Sequence, residues 1–144
     1  MPSAKTFFTQ EEQQLIVDAI QSAEKNTSGE IRVHIENFCF GNEVKRAQKV
    51  FARLNMHLTK ERNGVLIYIA VKHKKIAIIG DEGIHQKLGD EYWDKLVQNL
   101  ILSFKVNKKG KGLSESIIEC GAQLGKFFPR QANDTNELSN SISY

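Results

Sequence analysis

The chain has 144 residues, 40% of them hydrophobic and 26% charged, with a formal net charge of +3. That length suits one domain that buries a core without disulfide or metal staples, and the composition is that of a globular protein rather than a disordered or fibrous one. So small a net charge gives no reason to expect a nucleic-acid partner or an anionic membrane surface.

The opening segment MPSAKTFFTQEEQQ holds no apolar run of signal-peptide length. The longest fully apolar run, Val65 to Val71, falls far short of a membrane span. The expected address is therefore the cytoplasm, with no membrane span. Cys39 and Cys120 lie far apart and outside any CxxC pattern, so both are expected to be reduced and structural.

Thr9 and Glu12 form a capping box, in which each side chain satisfies an orphan amide of a first helical turn. Leu15, Ile16, Ala19, Ile20 and Ala23 follow at helical spacing, and the helix is expected to end near Asn26, before Ser28-Gly29. Glu30 to Glu36 alternates. Ile31, Val33 and Ile35 face one way and Arg32, His34 and Glu36 the other, which predicts a half-buried strand.

A loop through Gly41 leads to a second helix with an apolar stripe of Val44, Ala47, Phe51, Leu54 and Leu58. Arg62-Asn63-Gly64 breaks it. Val65 to Val71 is apolar on both faces, as a central strand covered on both sides should be. The turn Lys72 to Lys75 is too short for a crossover, so Lys75 to Ile79 is expected to return as a hairpin strand. An acidic, glycine-containing loop then runs from Asp81 to Asp90. After Asp90 a third helix carries Trp93, Leu96, Val97, Leu100, Ile101 and Phe104. A fourth, from about Gly112 to Phe128, stops before Pro129. The tail from Arg130 to Tyr144 is polar, with Leu138, Ile142 and Tyr144 as its possible docking points.

Helices before, between and after the strands predict a three-layer α/β/α sandwich around a mixed central sheet with a β-hairpin. A helix joins the first strand to the central one, so these two should be parallel. The third strand runs back. Its exit at Asp81 then shares a rim with Glu30, Asn63, Glu82 and Asp90.

Carboxylates gathered at one rim repel one another, and a hard divalent cation relieves that repulsion. Calcium accepts carboxylate and main-chain oxygens in flexible geometry, whereas magnesium keeps more of its water. Glu30, Asp81, Glu82 and Asp90 are the candidate metal ligands, for calcium ahead of magnesium. Each also has a plain structural reading: Asp90 as a helix N-cap, Asp81 as a turn residue, Glu82 as solvated, Glu30 as an exposed strand residue. The four histidines, His34, His57, His73 and His85, lack ligand spacing for zinc. No GxSxG, Walker or GxGxxG motif occurs, and neither cysteine sits in a CxxxxxR phosphatase motif. The basic segments Lys72 to Lys75 and Lys105 to Lys111 are not interleaved with aromatics, so they read as solvated turns.

The segments SGEIRVHI, RNGVLIYIAV and IAIIGDEGIHQKLGDEYW, in that order, resemble the TPM domain. This is the domain of the thylakoid-lumen photosystem II repair proteins and their free-standing bacterial relatives. The resemblance spans roughly residues 7 to 128 and implies a Rossmann-like sandwich, with calcium binding and acid phosphatase activity proposed for some members. Glu30, Asn63-Gly64, Gly83, Leu88 and Asp90 match its pattern. Asp81 and His85 depart from it, standing where a glycine and an acidic residue are common. The expectation is one TPM-like domain over residues 1–129, a polar tail over 130–144, and a monomer. It acts as a cation-binding regulatory or interaction module for an unidentified protein partner. The alternative is a weak metal-dependent phosphatase acting on phosphomonoesters.

Overall fold

A computed structural model describes residues 2–132 and 136–144. Among them, α1 (Gln10–Glu24), β1 (Glu30–Glu36), α2 (Glu43–Arg53), β2 (Gly64–Ala70), β3 (Lys75–Gly80), α3 (Glu82–Lys105) and α4 (Lys109–Phe127) follow in chain order. The sheet order is β1-β2-β3, with β1 and β2 parallel and β2 and β3 antiparallel. Three layers result because β2 is apolar at alternate positions on both faces. Val65, Ile67 and Ile69 join Ile31, Val33, Ile35 and Ile78 in a core with α1, α3 and α4. Leu66, Tyr68 and Ala70 meet Ala47, Val50 and Phe51 of α2 on the other side.

The capping box holds: the Glu12 amide donates to Thr9 Oγ1 at 3.1 Å, and the Thr9 amide to Glu12 Oε1 at 2.9 Å. The free cysteines are both buried, and burial pushes the Cys120 thiol up to about 12. The α2 stripe is shorter than its spacing suggests. Val44 and Leu58 are exposed and Val50 takes the buried place, because α2 ends at Arg53 and a 3-10 turn, Met56–Leu58, redirects the chain.

Strand β1 differs from the alternation in its sequence. His34 is 0% exposed and Glu30 only 2%. The C-terminal tail covers that polar face. The Ser143 amide donates to Val33 O at 2.8 Å and the Ile35 amide to Ser143 O at 2.9 Å. Ser143 Oγ lies 2.9 Å from His34 Nδ1. Leu138 and Ile142 pack on the two cores. Residues 133–135 of the tail lie outside the described residues.

The third helix begins nine residues earlier than the sequence suggests. Asp81, not Asp90, is its N-cap, accepting from the Glu82 amide at 2.8 Å. Gly89, at φ 79° and ψ 170°, breaks the helix into two limbs. Only glycine takes that backbone conformation cheaply. Trp93 Nε1 donates to His85 Nδ1 at 3.0 Å and staples the limbs together.

Candidate functional site at the acidic rim

Sheet register builds the rim. Glu30 pairs with Gly64 and Val65 with Gly80, so the starts of β1 and β2 and the end of β3 lie side by side. The Asp81 amide donates to Gly64 O and the Gly83 amide to Arg62 O, both at 2.8 Å. Gly83 is bare for a reason: a Cβ there would stand 2.5 Å from Glu61 O and 2.6 Å from Arg62 O. The first turn of α3 is thereby seated against two main-chain carbonyls.

Asp81 is 7% exposed. Its two oxygens accept from Arg62 Nε at 2.7 Å and Arg62 Nη2 at 2.9 Å, a bidentate pair. Arg62 sits at φ 53°, a left-handed conformation that costs a side-chain-bearing residue about 1–2 kcal/mol. The Asp81 hydrogen bonds raise the Arg62 pKa above its ordinary value. Glu82 is exposed and faces Arg62 Nη1 at 3.5 Å. Beside them, Asn63 Nδ2 donates to Ser28 Oγ at 3.2 Å and to Glu61 Oε2 at 3.3 Å, and Ser28 Oγ donates to Glu61 Oε2.

The other two predicted ligands sit apart. Glu30 Oε1 accepts from the Leu138 amide of the tail at 2.7 Å, while its buried Oε2 has no partner among the described residues. Burial raises its carboxyl to about 7. Its neighbour Glu24 is raised to about 7 in the same way, although the Ile31 amide donates to Glu24 Oε2 at 2.9 Å. Asp90 lies beyond the Gly89 kink, with its side chain 92% exposed, 3.4 Å from His85 Nε2. Among the described residues, no three carboxylate, imidazole or thiolate groups lie close enough to hold a metal ion. The rim instead joins Asp81 and Glu82 to Ser28, Glu61 and Asn63, with Arg62 between the charges.

Sequence reasoning named Asn63 but read Ser28 and Arg62 only as turn punctuation and did not name Glu61. The signal available was the capping aspartate: an acid before a helix needs a cation or amides, and Arg62 is the nearest basic residue before β2.

At the opposite end of β1, a second polar cluster is fully satisfied. Burial opposes charge on Glu36. Hydrogen bonds from Arg46, Tyr68 and His34 overcome it and hold the carboxyl at about 2.

A family model for the TPM domain matches residues 3–123. The NMR structure of BA42 protein from the psychrophilic bacterium Bizionia argentinensis matches with a TM-score of 0.88 and 45% sequence identity, covering 99% of each chain. The solution NMR structure of an N-terminal domain of a protein from P. gingivalis matches with a TM-score of 0.68, covering 88% of this chain and 83% of that one. At 13% identity, that likeness is one of fold alone. No curated protein matches the chain.

Proposed function

This chain belongs to the TPM domain family, and we propose that it acts as a divalent-cation binding module, calcium ahead of magnesium, serving a protein partner. One observation carries the reading. Hard oxygen donors from three sequence-distant segments, Ser28, Glu61 with Asn63, and Asp81 with Glu82, meet at one rim. Two carboxylates there, Asp81 and Glu82, face one guanidinium, Arg62, and a third, Glu61, is held beside them by Ser28 and Asn63.

The donor set suits calcium, which takes carboxylate, hydroxyl, amide and carbonyl oxygens in flexible geometry. Asp81 and Glu82 are the carboxylates that would hold it, and Glu61, with Ser28 and Asn63, would have to close in on them to complete the set. Glu30 and Asp90 are left out because Glu30 is buried under the tail, one oxygen bound to the Leu138 amide, and Asp90 lies beyond the Gly89 kink beside His85. Arg62 competes for Asp81, so the proposed affinity is weak, with a Kd of about 10⁻⁴–10⁻³ M. Binding would exchange a guanidinium for a metal ion at the start of α3, changing the charge presented to a partner. No helix of the described residues is long and apolar enough to cross a membrane.

The test is a thermal melt of the full chain in EDTA and in millimolar calcium. A calcium-dependent rise in Tm supports the reading. Coincident melts refute it.

A further inference from the structure

The hairpin end of the sheet, opposite the acidic rim, holds a cavity of about 410 Å³. Ile69, Val71 and Ile76 form its sheet wall, Ile101 and Phe104 of α3 face them, and Phe7 closes the end. Four lysines also line it, Lys72, Lys74, Lys75 and Lys105, and no carboxylate does. Lys109 adds a further cation, its Nζ 4.8 Å from the centre of the Phe7 ring. The volume falls within the range of small-molecule sites, about 300–1,000 Å³.

The lysines divide into two kinds. Lys75 is committed: its Nζ donates to Cys39 O at 3.0 Å and to Gly41 O at 2.7 Å. Lys72 Nζ lies 5.6 Å from the Phe38 ring centre. Lys74 and Lys105 have no ion-pair or hydrogen-bond partner among the described residues. Lys74 also stands at φ 53°, a conformation that glycine or asparagine adopts more cheaply. The short hairpin loop sets that conformation, and the Lys74 side chain stays exposed at the cavity.

We infer that this cavity binds a single-chain amphipathic anion, its apolar chain between the sheet and α3 and its carboxylate or phosphate head at Lys74 and Lys105. The apolar walls desolvate a hydrocarbon chain, and the lysines supply the countercharge that a neutral ligand would not need. The proposal is independent of the cation reading, since no cavity residue belongs to the acidic rim.

The experiment titrates the ¹⁵N-labelled full chain with decanoate, decyl phosphate, decanol and phosphatidylglycerol vesicles. Decanoate and decyl phosphate are expected to bind saturably, shifting amides of Val71 to Ile76 and Ile101 to Lys105. The better head group identifies the ligand class, and decanol should bind about tenfold more weakly or worse. The Lys74→Gln/Lys105→Gln double variant alters exposed side chains only and should lose about tenfold in affinity for either anion. Ile101→Trp fills the cavity and should abolish binding with the remaining amide spectrum unchanged. Four outcomes overturn the inference: no saturable shift with either anion, equal binding of decanol, full affinity in the double lysine variant, or a response to vesicles without one to the monomeric amphiphiles.

Discussion

Replacing Glu24 by glutamine should change how stability depends on pH. Glu24 is 7% exposed, and burial, reinforced by the charge of Glu30, lifts its carboxyl from 4.5 to about 7 against the opposing pull of the Ile31 amide. A carboxyl raised in the folded state binds more protons there than in the unfolded chain. Its contribution is therefore full below pH 4.5 and is lost as pH rises through about 7. The size of that loss is about 3 kcal/mol. Glutamine keeps an acceptor for the Ile31 amide and cannot ionise. The buried His34 works in the opposite sense: its pKa is lowered from 6.5 mainly by burial, so its share of stability is lost as pH falls through that lowered value. The wild-type profile mixes these two with Glu30, whose carboxyl burial also raises to about 7, and the difference between variant and wild type reports Glu24 together with its coupling to Glu30. Urea unfolding at half-unit steps from pH 5 to 8 should show that difference growing in favour of Glu24→Gln by about 2–3 kcal/mol. A difference that stays flat would mean that Glu24 ionises as freely in the fold as in the unfolded chain, and the burial argument would fail.

Gly121→Ala should destabilise by about 2–3 kcal/mol in urea unfolding, because overpacking forces main chains apart. The new Cβ would stand 2.5 Å from Ala23 Cβ and 2.9 Å from Ala23 Cα, where α4 crosses α1. Gly41→Ala, which meets nothing within 4 Å, serves as the neutral control. Thr9→Ala removes the α1 cap and should cost about 1 kcal/mol by the same assay. Arg62→Gln frees both oxygens of Asp81 from their guanidinium. Calorimetric titration should then show calcium affinity rising by about threefold or more.

The strands were legible because they are driven by side-chain pattern. Glu30 to Glu36 has its predicted bounds, and the seven residues Gly64–Ala70 are buried throughout, as a two-sided apolar run requires. Burial of the polar face of β1 was not legible, since it depends on Ser143 reaching back more than a hundred residues. The α3 boundary failed for a local reason. Gly89-Asp90 looks like a helix boundary, and the kink at Gly89 is the trace of one, but Ile84 and Leu88 are already at helical spacing. Reading 81–90 as a loop placed Asp90 at the rim, whereas a helical segment carries it past the rim to His85. At the rim itself, Asp81 was visible in the sequence as a candidate ligand or turn residue, but not as the helix cap. Its guanidinium partner and the Ser28–Glu61–Asn63 cluster emerge only when β1, β2 and β3 are set in register.

The central claim is cation binding at that rim, and an amide-resolved calcium titration of the wild-type chain tests it most directly. The account predicts saturable shifts at Ser28, at Glu61 to Gly64 and at Asp81 to Gly83, reversed by EDTA, with Asp90 and the hairpin turn at Lys72 to Lys74 unmoved. Shifts absent through the millimolar range, or confined to residues away from the rim, would contradict it.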